Sequence, residues 1–96
     1  MNFEWDEGKN RINIDKHGIS FRDILPVFVD WEQDGLLIED IRQSYGEDRF
    51  ILFHFFASTL LCVVFTWRED NIRIISARRA NRREMRHYEQ RRENSN

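Results

Sequence analysis

Phe50 to Phe65 is the most hydrophobic segment of the sequence, and what it forms constrains the whole fold. Its sixteen residues include His54, Ser58 and Thr59, and they fall short of the roughly 18–20 apolar residues that a membrane-spanning helix needs. Their aromatic and β-branched content, with Ala57-Ser58-Thr59 at the centre, reads as two strands and a turn. A third strand follows. The pattern predicts an antiparallel meander over 49–56, 60–67 and 72–78, joined near Ser58 and at Arg68-Glu69-Asp70-Asn71.

Helix signals lie on either side of the meander. Asp6 is a candidate N-cap for a helix over roughly 7–17, with Glu7 in its first turn and Lys16-His17 in its last. Gly18 suits the left-handed position that ends such a helix. Phe21, Ile24, Leu25 and Phe28 share one face of a second helix. Pro26 requires that helix either to start as late as Asp23 or to kink. Residues 30–48 read as an acidic, turn-rich loop anchored by Leu36-Leu37-Ile38. Asn81-Arg82-Arg83-Glu84 has the form of a capping box and predicts a last helix from about Asn81, with residues 93–96 frayed. Phe3-Glu4-Trp5 is a short edge strand. The expected order is β-α-α-β-β-β-α, an α+β domain with its helices on one face of a small, mainly antiparallel sheet.

Ninety-six residues suffice for one core, so the chain reads as a single domain over 1–96. Eight Phe and three Trp predict that large rings fill it. Cys62 is the sole cysteine and lies within an apolar run, which suits a buried thiol and a reducing compartment. Met1 to Asp6 lacks the basic start and apolar stretch of a signal peptide. A cytoplasmic location is the expectation.

Charge is unevenly spread. Residues 68–96 carry nine arginines against five acids, a net +4, whereas residues 1–67 carry six bases against twelve acids, a net −6. A basic C-terminal part on an acidic chain points to a polyanion at one surface, and it leaves room for a basic partner at another.

Four strings stand out along the chain: Phe3-Glu4-Trp5-Asp6-Glu7 with Lys9-Asn10; Asn13 with Lys16-His17-Gly18 and Phe21; Tyr45-Gly46-Glu47 with Arg49; and Arg73-Ile74-Ile75-Ser76-Ala77-Arg78-Arg79-Ala80 with Arg82-Arg83-Glu84 and Tyr88. In their order, and over nearly the whole chain, they resemble the BrnT family of type II toxin–antitoxin systems. The resemblance implies a RelE-like fold and a metal-independent endoribonuclease that blocks translation. It also implies a BrnA-like antitoxin with a DNA-binding ribbon-helix-helix domain, so that DNA is met only through that partner. The segment His54 to Leu60 departs from the family in being more apolar than the polar, glycine-containing turn expected there.

Cleaving RNA without a metal uses the adjacent 2′-hydroxyl as nucleophile and builds charge on a five-coordinate phosphorus, which fixed guanidinium groups stabilise. Arg49 and Arg78 are the arginines favoured for that role, and the resemblance is what tips the choice. Arg73 stands evenly between chemistry and a solvated ion pair. The strand ends holding Arg49, Arg68 and Arg73 need not converge. Arg82 and Arg83, like Arg86, Arg91 and Arg92, read as helix-surface residues pairing with Glu84 or Glu89, or as diffuse phosphate attraction. Lys16, Arg68, Arg73, Arg79, Arg82 and Arg83 make up the expected RNA-binding set.

His17 and Glu47 are the acid–base candidates, each balanced by a local role: a helix-end histidine on the dipole and a turn carboxylate. Tyr88 could stack on a base or bind a phosphate, but packing of the last helix is the favoured reading. Trp5 and His54 read as core, and His87 as pointing elsewhere. Histidines at 17, 54 and 87 give no metal-ligand spacing, and no cofactor is expected. The partners expected are RNA, as mRNA or on the ribosome, and the antitoxin, with no membrane. A non-catalytic module of the same fold, binding RNA or protein, is the alternative.

Overall fold

The computed structural model describes residues 2–29, 31–40 and 46–94. Its elements are β1 (Asn2–Trp5), α1 (Glu7–His17), a 3-10 helix (Arg22–Phe28), α2 (Trp31–Asp34), β2 (Leu36–Asp40), β3 (Arg49–Phe56), β4 (Thr59–Arg68), β5 (Asn71–Arg79) and α3 (Arg82–Asn94). The strands make one mixed sheet in the order β1-β5-β4-β3-β2, antiparallel except where β1 runs parallel to β5.

The meander forms where the apolar run predicts it. Its first turn is only two residues long, Ala57 and Ser58, both with positive φ (50° and 69°). That backbone matches the right-handed twist of the flanking strands, and asparagine and glycine ordinarily supply it. Here the apolar pairs Phe53–Cys62, His54–Leu61 and Phe55–Leu60 hold the register against the local strain.

Both ends of α1 are also as predicted. Asp6 accepts the Lys9 amide at 3.0 Å, and Gly18 sits at φ 69° with its N–H on the Ile14 carbonyl. Asn81 and Glu84 close the reciprocal capping box of α3, at 2.9 and 2.8 Å. That helix extends to Asn94, past the point where fraying is expected.

Three expectations are corrected. Leu36 to Asp40 is a strand in full register with β3, not a loop anchor, which makes five strands rather than four. The expected second helix is a 3-10 helix over Arg22–Phe28 with Pro26 inside it, since tighter i→i+3 bonding accommodates the missing amide. The helices do not share one face of the sheet. Phe21, Ile24, Val27 and Phe28 pack on Leu52, Leu61, Val63, Phe65, Ile72 and Ile74, whereas α3 places Tyr88 and Met85 on Phe53, Leu60 and Cys62. Residues of opposite parity on a strand face opposite ways, so these are the two sides of the sheet.

Aromatic rings fill the larger core, as composition suggests. Phe28 meets Phe65 edge-on at 5.2 Å and Phe3 at 5.3 Å, and Trp5 meets Phe21 edge-on at 6.2 Å. Cys62 and His54 are buried. No helix among the described residues is long and apolar enough to cross a membrane.

Candidate nucleic-acid interface

The α3 side of the sheet carries the charged residues in register rows. One row crosses all five strands as Asp40, Arg49, Thr66, Arg73 and Glu4. The next holds Ile38, Ile51, Val64 and Ser76, and the third holds Leu36, Phe53, Cys62 and Arg78. Arg49 and Arg73 are therefore two strands apart at one end of the sheet, and Arg68 lies just beyond them, paired with Asn71. The antiparallel connections bring these strand ends together, contrary to the expectation that they could lie a strand length apart. Arg78 is four residues away along β4, about 13 Å at the usual rise.

Between these ends lies an open cleft of about 300 Å³. Its floor is Ile38, Ile51 and Phe53, one end is Asp40, and Arg83, Glu84 and His87 of α3 form the wall. Glu84 is held by Arg78 through two parallel bonds of 2.8 Å, Nη1 to Oε1 and Nη2 to Oε2. Arg78 Nη1 also donates to the Arg79 carbonyl at 3.2 Å. At the far end Arg49 Nε donates to Glu47 Oε2 at 3.3 Å. The cleft thus has an apolar floor with a guanidinium near either end. His87, read from the sequence as pointing elsewhere, lines it.

Arg73 donates to Glu4 at 2.6 Å in a half-buried pair. Hydrogen bonds from Asn71 and then Arg73 hold the Glu4 carboxyl below its ordinary value, aided by the Arg73 and Arg68 charges against some desolvation. This commits Arg73 to joining β1 to β5. Tyr88 is likewise committed: it is 8% exposed, packs edge-on against Phe55 at 5.7 Å, and donates its hydroxyl to the Asp34 carbonyl at 2.6 Å. Burial raises its pKa. These contacts support the packing reading of Tyr88 over a catalytic one.

His17 and Lys16 belong to the opposite side of the sheet. Asn13, one turn earlier on α1, is buried and bonds both backbone groups of Ala77, which places His17 toward the end of β5. A cleft of about 190 Å³ opens there, lined by Gly18, Ser20, Asp23, Thr59 and Arg79 among others. Arg78 and Arg79 therefore serve opposite sides of the strand. His17 and Glu47 do not meet, since Glu47 adjoins Arg49 at the other end of the sheet. Tyr45 lies outside the described residues.

Arg82 and Arg83 are exposed on the first turn of α3. The pairing expected within that helix is altered by tertiary contacts. Glu84 binds the strand residue Arg78, and Arg92 reaches the Gln33 carbonyl and Asp34. The sequence marks Glu84 as a partner of the arginines, and the structure assigns it to Arg78; nothing local marks Glu4 as the partner of Arg73. Among the described residues no group of three His, Cys, Asp or Glu could hold a metal ion.

No curated protein matches the sequence. The family model described as the ribonuclease toxin BrnT of type II toxin–antitoxin systems matches residues 5–84, from Trp5 at the end of β1 to Glu84 in the first turn of α3. That span takes in the whole sheet after β1 and both arginines beside the cleft, and the chain belongs to the BrnT family of ribonuclease toxins.

Proposed function

We propose that this protein is a metal-independent endoribonuclease toxin that inhibits translation by cutting RNA in the cleft between Arg49 and Arg78. The observation that carries the reading is the apolar floor of Ile38, Ile51 and Phe53 with a guanidinium near each end. A nucleotide resting on such a floor would present phosphates to both arginines. Arg78 stabilises the five-coordinate phosphorus, and Arg49, with Glu47 beside it at the far end of the cleft, holds a flanking phosphate. Lys16, Arg68, Arg79, Arg82 and Arg83 attract the strand, whereas His17, on the other side of the sheet, lies outside this cleft. A RelE-like topology, a cytoplasmic site of action and a BrnA-like ribbon-helix-helix antitoxin complete the proposal on the strength of the family. The acidic 1–67 part suits a basic segment of such a partner, and the basic part an acidic one.

The test is expression without antitoxin, with growth and RNA integrity followed, and cleavage assayed in EDTA with and without ribosomes. Growth arrest and cleavage that Arg78→Ala and Arg49→Ala abolish are expected. Folded protein that neither arrests growth nor cuts RNA in either setting sinks the reading.

One observation favours a second reading. Arg49, Arg73 and Arg78 are all ion-paired to carboxylates, as in a surface that binds without chemistry. Such a module would lose RNA affinity on Arg78→Ala and show no turnover in the wild type.

A further inference from the structure

We infer that Glu84 is the positioning residue for Arg78, holding its guanidinium plane in a fixed orientation beside the cleft. The inference rests on the cleavage chemistry proposed above and assigns a role within it to a residue that would not itself touch RNA.

The geometry forms a relay. The Asn81 side chain accepts the Glu84 backbone N–H at 2.8 Å, and Glu84 Oε1 accepts the Asn81 backbone N–H at 2.9 Å, so it is the main chain at the start of α3 that holds the carboxylate. That carboxylate then takes both terminal nitrogens of Arg78, each at 2.8 Å. Two parallel bonds define a plane as well as a distance, which a single contact could not do. The Arg79 carbonyl adds a third constraint on Nη1. The Arg78 and Glu84 side chains are only 35% and 21% exposed, so neither samples open solvent freely.

Charge does not argue against the role. The carboxylate lies at the positive end of α3 and shares its charge with the Asn81 N–H, so it offsets only part of the guanidinium. Arg79, Arg82 and Arg83 surround the same end of β5 and keep the local field positive. A donor oriented before reaction needs no reorganisation when charge develops on phosphorus, and that is where its advantage over an unconstrained arginine lies. The simpler alternative is that the pair only staples α3 to the sheet.

Steady-state cleavage of an oligoribonucleotide by the full chain separates these. Glu84→Gln keeps the side-chain oxygen but loses the charged two-point hold. It is expected to lower kcat about tenfold or more, with KM within about twofold. Asn81→Ala removes the side-chain half of the cap and keeps both the backbone N–H on Glu84 Oε1 and the Arg78 pair. It is expected to lower Tm while kcat stays within about twofold of wild type. Glu84→Asp, which keeps the charge at shorter reach, should fall between. Wild-type kcat in Glu84→Gln, a rise in kcat, or an equal loss in Asn81→Ala would each overturn the inference. NMR of the Arg78 side chain gives a readout that does not depend on turnover: hindered, resolved Nη signals in the wild type should merge in Glu84→Gln. If the wild type cuts no RNA, the cleavage reading fails. The NMR comparison then decides the positioning by itself, and unchanged signals in the two proteins overturn it.

Discussion

Asn13 holds both backbone hydrogen-bonding groups of Ala77, donating Nδ2 to its carbonyl at 2.8 Å and accepting its N–H at 3.0 Å. β1 pairs with β5 only as far as Trp5–Ile74, so beyond that point β5 has an open edge. The carboxamide replaces the missing strand there, and the same Nδ2 donates to the Ile19 carbonyl at 2.9 Å. Asn13→Ala strands the fully buried Ala77 N–H and C=O, at about 1–3 kcal/mol for each unsatisfied group. A drop of about 3 kcal/mol in unfolding free energy by urea titration is expected. Less than about 1 kcal/mol would mean that water or a shifted strand satisfies the edge equally well.

The Ala57-Ser58 turn predicts a gain. Both residues occupy the left-handed region, φ 50° and 69°, which costs an L-residue with a Cβ roughly 1 kcal/mol or more each. Ala57→Asn with Ser58→Gly supplies the residues that this two-residue hairpin favours. The double variant should gain about 1–2 kcal/mol, read as a higher urea midpoint at unchanged m-value. No gain would indicate that the strand pairs, not the turn, set the local energy.

How much of this was legible in the sequence follows from the range of the interactions. Asp6, Gly18, Asn81 and Glu84 act within one turn of themselves, and their roles were readable from spacing. The strand 49–56 was readable because its apolar content is its own. Leu36 to Asp40 was not, since its strand conformation comes from register with β3, and two of its five residues are acids. The Arg78–Glu84 pair was hidden because its residues lie six apart across the junction of β5 and α3, a spacing that matches neither element's period. Glu4 and Arg73 are brought together by a parallel pairing across 69 residues, which no local pattern carries. The candidate arginines could be named, but the cleft between them depends on how α3 lies across the sheet.

Glu4 gives a pH signature. Its carboxyl is held below the ordinary value of 4.5 by the Asn71 and Arg73 hydrogen bonds. A depressed folded-state pKa means that the unfolded chain binds the proton first as pH falls. The contribution is therefore complete above about pH 4.5 and is lost as pH drops through the lower folded value. Glu4→Gln should lie below wild type in urea midpoint at neutral pH and converge with it in acid. Curves that stay parallel down to the acid transition would contradict the pairing.

Tyr88 separates packing from chemistry. Tyr88→Phe keeps the edge-on contact with Phe55 and removes the bond to Asp34, which should cost about 1 kcal/mol of stability. RNA cleavage should stay within about twofold of wild type, because the hydroxyl is directed into α2 and not into the cleft. Its raised pKa adds a check: above about pH 10 the unfolded tyrosine ionises first, so wild-type stability falls there and Tyr88→Phe loses less. A large loss of turnover in a stably folded Tyr88→Phe would return the residue to the catalytic set.

Arg82 should behave unlike Arg78. It is exposed on the first turn of α3 and outside the cleft lining, where a cation attracts phosphates without fixing one of them. Neutralising it should weaken RNA binding for all sequences alike. It should also reduce the slope of log affinity against log salt by about 0.7, the single-strand value for one phosphate contact. Turnover at saturating RNA should change little. Arg78→Lys retains the charge and loses the fork, so it should leave the salt slope nearly intact and depress turnover sharply. If Arg82→Ala and Arg78→Lys instead gave the same pattern, charge alone would account for this surface. The geometry beside the cleft would then have no separate role.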